Sequence, residues 1–153
     1  MKYADFIAKE HGCPFDTPIE QIVLAQNDTA FLTYALAPYN ADHWLVIPKR
    51  HVQNLTDLSH QERDDVDSLL SRGLKALNAL GHQGVSLLLR QGEGTGKTVQ
   101  HLHYHLIPDT HVGDLDHNPD NRPTLDDVQQ KEVAARGRAA LLNLTPHAPP
   151  TRL

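Results

Sequence analysis

Three histidines alternate with other residues in the segment 99–108. In an extended strand, side chains point to opposite faces every second residue, so one face of this segment carries His101, His103 and His105. The interleaved residues face the other way and can pack on a core: Leu102, Tyr104 and Leu106. A helix would turn residues two apart by roughly 200° and separate the imidazoles. Because each imidazole needs hydrogen-bond partners, the alternation predicts a metal or catalytic site, with a solvent-facing histidine-rich strand as the alternative.

Composition limits the classes of protein and partner. The length of 153 residues predicts one domain that buries roughly two thirds of the surface exposed by its unfolded chain. The formal net charge of −5 disfavours non-specific binding to a nucleic acid duplex but is compatible with a small anionic ligand. The sequence has no apolar run near the ~20 residues of a membrane span and no signal peptide core. A single cysteine excludes an intramolecular disulfide. We expect a soluble, cytoplasmic protein without nucleic acid or membrane partners.

Hydrophobic periodicity predicts an α+β fold, with a five-stranded antiparallel sheet and a long central helix. A short N-terminal helix is predicted over Tyr3–Lys9, and Ser59 with Glu62 forms a capping-box pattern that opens a helix ending near Leu80. The predicted strands are 19–25, 30–36, 43–47, 85–89 and the histidine segment. The continuous apolar run over 85–89 predicts a central strand covered on both faces.

The chain changes character after Pro108. Residues 109–123 are polar and predict a loop, and 124–144 predicts a helix with Thr124 as its cap and Asp127 completing the capping box. One weak stripe along this helix would consist of Leu125, Val128, Glu132, Ala135, Ala139 and Leu142. From Pro146 onward we expect a frayed tail. Together these segments form a C-terminal extension over 116–153.

A glycine-rich loop precedes the histidine segment and ends in Gly96-Lys97-Thr98. A phosphate-binding loop of the Walker type needs a glycine five residues before Gly96, where this chain has Gln91, and must open a helix rather than a strand. We therefore disfavour that reading. Glycine backbone, hydroxyl groups and a lysine beside three histidines still predict a phosphate site, with an ordinary mobile hairpin loop as the alternative.

Three segments together resemble the histidine-triad (HIT) family of nucleotide hydrolases and transferases. The first is 101–107, with the pattern His-x-His-x-His followed by two apolar residues; the second is 43–51, close to the family's "GH-LVIPKRH"; the third is the loop 91–99. The resemblance covers about residues 13–114 in family order, and implies a HIT domain over 1–115.

The resemblance implies a role for each site residue. His103 would attack the α-phosphate of a purine nucleotide and form a nucleotidyl-histidine intermediate, with His105 and His43 holding phosphoryl oxygens or assisting the leaving group. His101 would support the strand geometry. The implied phosphate contacts are Gln91, Gly96, Lys97 and Thr98, and the implied nucleoside contacts are Ile22, Leu24 and Phe31. Dinucleoside polyphosphates, with a divalent cation, and nucleoside phosphoramidates are the implied substrates, and a homodimer is the implied assembly.

Three positions depart from the family pattern. Gln91 replaces the Asn of related bacterial sequences and keeps an amide. Lys97 replaces Gln and adds a cation, which should strengthen attraction to a polyphosphate. Asp109 replaces an Arg and removes positive charge nearby.

The family's structural zinc site is also altered here. Many members bind zinc through Cys-x-x-Cys and two histidines, whereas this chain would offer Cys13, Asp16, His51 and His101. This donor set is acceptable for tetrahedral zinc. The alternative is a lost site in which Cys13 packs as a small apolar residue.

Two other classes of function stay open. One is a metalloenzyme with His101, His103 and His105 as ligands of one catalytic zinc. The other is a nucleotide-binding scaffold without catalysis that uses the 124–144 helix to bind partners.

Overall fold

The computed structural model describes residues 1–9 and 12–144. Within them lie three α-helices and one five-stranded antiparallel sheet: α1 (Tyr3–Lys9), β1 (Val23–Gln26), β2 (Ala30–Tyr34), β3 (Trp44–Pro48), α2 (His60–Ala79), β4 (Val85–Leu89), β5 (Tyr104–Pro108) and α3 (Asp127–Leu142). The strand order is β1-β2-β3-β5-β4. The predicted fold class is therefore confirmed. The predicted tail from Pro146 lies outside the described residues.

The two faces of the sheet have different coverings. Helices α2 and α3 pack on one face, over a core that includes Leu32, Trp44, Val46, Leu102 and Leu106. Alternation along β2 and β3 sends a second, smaller apolar cluster to the opposite face, made of Phe31, Ala35, Leu45 and Ile47. His105 alternates with the core residues Tyr104 and Leu106 and so shares this second face.

Helix α2 is fixed at both its start and its middle. The predicted capping box is present: the Ser59 side chain accepts from the Glu62 N–H, and the Glu62 carboxylate accepts from the Ser59 N–H. Arg50, just beyond β3, donates to the same carboxylate at 2.7 and 2.9 Å. In mid-helix, a Cβ at Gly73 would lie 2.7 Å from Leu106 Cδ1, so the glycine permits close approach of α2 to the sheet.

The prediction that Val85–Leu89 is a central strand is wrong. In the described sheet, β4 lies at the edge and pairs with β5. Leu87 is 52% exposed. An apolar run does not distinguish a strand covered on both faces from an edge strand whose exposed side chains are also apolar.

Several predicted boundaries are also wrong. A 3-10 turn at Glu20–Ile22 delays the first strand until Val23, and the ladder of the histidine segment begins only at Tyr104. Helix α3 is capped by Asp126 with Gln129, not by Thr124 with Asp127. Its buried face contains Ala134, Ala140 and Leu141, whereas the expected stripe residues Val128 and Leu142 are 65% and 84% exposed. The loop 109–123 contains the short 3-10 turns Val112–Asp114 and Pro119–Asn121.

The C-terminal segment packs on the first hundred residues through its apolar face. Ala134, Ala140 and Leu141 of α3 belong to the same core cluster as Leu32 and Trp44. The N-terminal residues also contact the loop before α3, because Lys2 bridges Pro123 and the Thr124 N–H donates to the Met1 carbonyl at 2.9 Å. The division of the chain near residue 115 stays a prediction.

Across residues 1–9 and 12–144, none of the helices has both the length and the apolar character needed to cross a membrane. The cytoplasmic location stays a prediction.

A polar cluster connects the turn before β3, the loop after α2, the residue after β5 and helix α3. Asp42, in the turn before β3, is buried and has a φ of 62°. Its carboxylate lies 2.7 Å from His82 Nε2 and 2.7 Å from Arg136 of α3. His82 Nδ1 lies 2.9 Å from Asp109, beyond β5. Burial disfavours the charged imidazole, but the hydrogen bonds to the two carboxylates outweigh burial and raise the pKa of His82.

This cluster predicts a pH-dependent contribution to stability. A histidine whose pKa is raised on folding stabilises the fold below its unfolded pKa of about 6.5, and that contribution is lost as pH rises through the folded pKa. We expect His82→Gln to lower the free energy of unfolding by about 1–3 kcal/mol at acidic pH, and by less at pH 8. Urea unfolding of the wild type and the variant between about pH 6 and 8 measures the difference between their free energies of unfolding. The contributions of the other histidines cancel in this difference. A difference that grows with pH would contradict the assignment.

Candidate active site

Four histidines gather beside the second apolar cluster of the sheet. His101 and His103 lie in the extended segment before β5, His105 lies within it, and His43 immediately precedes β3. All four are at most 7% exposed. The rings of His103 and His105 are 4.8 Å apart, and those of His43 and His105 are 5.2 Å apart. Phe15 packs edge-on against His103 at 5.0 Å and against His101 at 6.0 Å.

The hydrogen bond made by His103 defines which of its nitrogens is free. Its Nδ1–H donates to the carbonyl oxygen of His101 at 2.8 Å, so Nε2 carries the lone pair. Burial lowers the pKa of His103 to about 4, and the positive charge of Lys97 adds to this effect. Near neutral pH His103 is therefore an uncharged imidazole with a lone pair on a fixed nitrogen, the state needed for nucleophilic attack.

A chain of hydrogen bonds gives His105 the opposite tautomer. The Tyr39 N–H donates to His43 Nδ1 at 3.1 Å, which leaves the His43 proton on Nε2. That nitrogen lies 2.9 Å from His105 Nδ1 and donates to it, so the His105 proton is on Nε2. Burial, followed by nearby positive charge, lowers the pKa of His43 to about 3, and burial also lowers that of His105.

The Nε2–H of His105 is a buried donor without a partner among the described residues. An unpaired buried donor costs about 1–3 kcal/mol. Its ring lies edge-on to the ring of His103, which carries the free lone pair, with the two ring centres 4.8 Å apart. The pair therefore offers a nucleophile and a hydrogen-bond donor to one ligand, as attack on a phosphoryl group requires.

A cavity opens against His43 and His105. Its apolar wall includes Phe6, Phe15, Ile22, Phe31, Leu45 and Ile47. Two of the three predicted nucleoside contacts, Ile22 and Phe31, are therefore at the cavity. Leu24 is not: it packs on α3, where a Cβ at Gly137 would lie 3.0 Å from both Leu24 methyl carbons. Leu24 belongs to the core cluster on the side of α2 and α3, and its contact with a nucleoside stays a prediction.

The structure distributes the predicted loop residues unequally. Lys97 lies close enough to lower the pKa of His103, and Thr98 lines the cavity. The ammonium group of Lys97 donates to the Gln53 carbonyl at 3.3 Å. The Gln91 side chain instead accepts from the Leu55 N–H at 2.8 Å and so holds the loop to the segment before α2. Gly96 has a φ of 79°, which favours glycine at this turn.

Two arginines at the cavity were not predicted from the sequence. Arg90 follows β4 and Arg122 lies in the loop before α3, and both line the cavity with Tyr39. Both arginines lie outside the three segments that carry the family resemblance, but Arg90 directly precedes Gln91, the first residue of the third segment. That adjacency was the available signal for Arg90. Only the tertiary fold brings Arg122 to the site.

The predicted metal-binding residues do meet. The ligand atoms of Cys13, Asp16, His51 and His101 all lie within 4.8 Å of one another. His101 donates through Nε2 to the Pro48 carbonyl at 2.7 Å, so its Nδ1 lone pair faces Asp16 Oδ1 at 3.0 Å and Cys13 Sγ at 3.5 Å. Two acceptor atoms at such a distance need a shared cation or proton. Thiolate, carboxylate and imidazole ligands fit zinc.

The alternative of three histidines on one zinc does not fit this arrangement. Both ring nitrogens of His101 are engaged away from the other two histidines, at Pro48 and at the cluster with Cys13. His103 and His105 also bond through Nδ1 to separate partners. The three rings therefore cannot bind one ion without rearrangement.

Comparisons with known proteins bear on the family and the fold of this chain. The HIT domain family model matches residues 16–112. An adenosine 5′-monophosphoramidase of Schizosaccharomyces pombe is 31% identical over 93 residues, covering 61% of this chain and 66% of that protein. An AP-4-A phosphorylase of Mycobacterium tuberculosis is 29% identical over 91 residues, covering 58% of this chain and 47% of that protein. The chain thus spans about half to two thirds of the length of these two enzymes.

Solved structures share the fold. A HIT-like protein from Bartonella henselae has a TM-score of 0.67 at 24% identity, covering 90% of this chain and 93% of its own. A zinc-bound histidine triad family protein from Mycobacterium smegmatis has a TM-score of 0.63 at 22% identity, covering 92% and 91%.

The hydrogen-bond network predicts distinct tautomers for neighbouring histidines. We expect His103 to carry its proton on Nδ1, and His43 and His105 to carry theirs on Nε2, because each ring accepts or donates at a fixed backbone or imidazole partner. Long-range proton–nitrogen correlation spectra of nitrogen-15-labelled protein near neutral pH identify the protonated nitrogens, with the exposed His111 as an internal reference. An Nδ1–H on His105 would be incompatible with the proposed chain of donors.

Proposed function

Because this chain belongs to the HIT domain family, we propose that it is a nucleotide hydrolase or nucleotidyl transferase that acts at the α-phosphate through His103. The observation that carries the proposal is the free lone pair on His103 Nε2 beside the unpartnered Nε2–H of His105. Two relatives of the chain are named for reactions at nucleotide phosphates. The buried, uncharged state of both imidazoles supports the same chemistry.

In the first step, His103 Nε2 attacks the α-phosphorus and a P–N bond forms. The bond from phosphorus to the leaving group breaks, and the leaving group departs with the electron pair and takes up a proton. The Nδ1–H of His103 keeps donating its hydrogen bond to the His101 carbonyl oxygen. This hydrogen bond stabilises the positive charge that the ring acquires. His105 donates through Nε2–H to a non-bridging phosphoryl oxygen as negative charge develops there.

In the second step, water or another acceptor attacks the same phosphorus. The P–N bond breaks, its electron pair returns to Nε2, and His103 is regenerated as the neutral imidazole. When the acceptor is water, the attacking water loses a proton and the product is a nucleoside monophosphate. The overall reaction exchanges the leaving group for hydroxide and consumes one water.

The cavity supports a purine nucleotide as the small-molecule partner. Its apolar wall offers Phe31 and Ile22 to the base, while His43, His105 and Thr98 offer polar groups to the phosphate. Lys97 supplies a cation near His103. Dinucleoside polyphosphates, bound with a divalent cation, and nucleoside phosphoramidates are the substrates that we propose to test first.

Replacement of His103 tests the mechanism. We expect His103→Ala to lower kcat for diadenosine tetraphosphate or adenosine 5′-phosphoramidate by about 10³-fold or more, because the nucleophile is lost. Mass spectrometry of wild-type protein that is quenched rapidly and kept at alkaline pH, where the P–N bond is stable, should find a nucleotidyl adduct on His103. The exposed His111→Ala is the matched control and should leave kcat unchanged. A loss of only about twofold in His103→Ala would refute the mechanism and favour a non-catalytic scaffold.

We also propose that zinc binds between Cys13, Asp16, His51 and His101. When bound, it would tie the segment before β1 to the segments after β3 and before β5, and so hold the His101 carbonyl that orients His103. The close approach of the Asp16 carboxylate to the His101 lone pair supports this site, and a fold neighbour is described as zinc-bound.

The zinc site predicts metal in protein purified without added zinc. We expect about one zinc per chain by elemental analysis, and a lower melting temperature after chelation because a structural metal contributes to folding free energy. Cys13→Ser should reduce the bound zinc, whereas substitution of the exposed His60 should not. Substoichiometric zinc in the wild type would instead favour a site that has lost its metal.

A homodimer is the assembly that we propose. The described edge strand β4 leaves Leu87 52% exposed, and Leu74 on α2 is 37% exposed. An open edge with exposed leucines is a surface that a second copy can cover. We expect sedimentation equilibrium to give twice the chain mass of 17.1 kDa and Leu87→Lys to favour the monomer; a monomeric wild type would overturn the proposal.

A further inference from the structure

Arg122 is a buried cation without a carboxylate partner among the described residues. It is 9% exposed, and its Nε has no hydrogen-bond partner. Its Nη1 donates to the Ala37 carbonyl at 3.2 Å. The guanidinium lies 4.4 Å from the Tyr39 ring centre and 4.9 Å from that of Tyr3. One backbone carbonyl and two aromatic rings do not neutralise its charge. The exposed Asp116 carboxylate is close enough to interact with Arg122 but forms no ion pair with it.

The backbone around Arg122 is held by the N-terminal segment. The Arg122 carbonyl accepts from the Tyr3 N–H at 2.8 Å, and the adjoining residue Pro123 bridges Lys2. On the other side, the Asn118 side chain caps the 3-10 turn that leads into Arg122. These contacts hold the loop on both sides of Arg122, and its guanidinium lines the cavity.

Arg90 brings a second guanidinium to the same cavity. Its Nη1 donates to the Tyr39 hydroxyl at 3.3 Å, and its Nη2 donates to His117 Nδ1 at 2.7 Å. His117 is fixed as an acceptor there because its Nε2–H donates to the Val112 carbonyl at 2.9 Å. The partners of Arg90 are therefore neutral groups, and its charge is also uncompensated.

The cavity that these arginines share contains no carboxylate among its described lining residues. It contains instead the uncharged His43 and His105, whose protonation both arginines oppose. Burial of an uncompensated cation is unfavourable unless an anion binds beside it. A planar guanidinium with free N–H groups matches the oxygen pairs of phosphate.

We propose that Arg122, assisted by Arg90, binds a second anionic group of the substrate, next to the phosphoryl group held at His105. This inference rests on the proposed function and deepens it, because it assigns selectivity to the C-terminal extension. The enzyme would prefer nucleotides with two or more linked phosphates over those with one phosphoryl group and a neutral leaving group.

Binding of pyrophosphate tests the site without any turnover. By isothermal titration calorimetry, wild-type protein should bind pyrophosphate, and Arg122→Gln should weaken that binding by about tenfold or more, the effect of losing a charge-assisted hydrogen-bonding partner. Arg90→Gln should also weaken the binding of pyrophosphate. This second variant keeps the test possible if Arg122→Gln fails to fold. Arg72→Gln makes the same charge change at an exposed position of α2, on the other face of the sheet, and should have no effect.

Kinetics separate this inference from the proposed function. We expect Arg122→Gln to lower kcat/KM for diadenosine tetraphosphate by about tenfold or more, with a much smaller change for adenosine 5′-phosphoramidate. Equal losses for the two substrates, or wild-type affinity for pyrophosphate in both arginine variants, would show that Arg122 only braces the fold and would overturn the inference. A different result would refute the proposed function itself: turnover that does not depend on His103.

Discussion

The structure depends on keeping several imidazoles buried and uncharged against one face of a sheet. Burial alone would leave each ring with unsatisfied polar atoms. The chain avoids this by giving His103 a backbone acceptor at the His101 carbonyl and His43 a backbone donor at Tyr39. Those two fixed bonds set the tautomers of the whole cluster, because His105 then accepts a hydrogen bond at Nδ1 from the Nε2–H of His43. The result is one free lone pair and one free donor at adjacent rings.

The opposite face of the sheet makes that arrangement rigid. Leu102, Tyr104 and Leu106 alternate with the histidines and pack into the core beneath α2 and α3. A shift of this segment by one residue would bury the imidazoles among leucines and expose the apolar side chains. The Leu102 N–H also donates to the Val52 carbonyl at 2.7 Å, which holds the segment before the ladder begins. Packing on one side thus fixes chemistry on the other.

Charge is distributed unequally between the site and its supports. Carboxylates pair with His82 and Arg136 at the buried Asp42, behind the site, and Arg50 pairs with Glu62 at the start of α2. At the cavity itself the described cations Arg90 and Arg122 have neutral partners. Two positive charges therefore line the cavity beside His43 and His105, although the chain as a whole carries a formal charge of −5.

The sequence by itself determined the fold class, the family and the shared face of the three histidines, because these follow from local alternation, capping and motif order. Periodicity identified α1 and α2, and the capping box at Ser59 located the start of α2 correctly. It failed for Val85–Leu89, whose place at the sheet edge is a property of strand pairing, and for the inward face of α3, where the true cap changed the direction of the side chains. Only the tertiary structure decided which nitrogen of each histidine is free. It alone brought Arg122 to Tyr39, a separation of more than eighty residues along the chain, since hydrogen bonds and contacts of that range leave no periodic signal in a sequence.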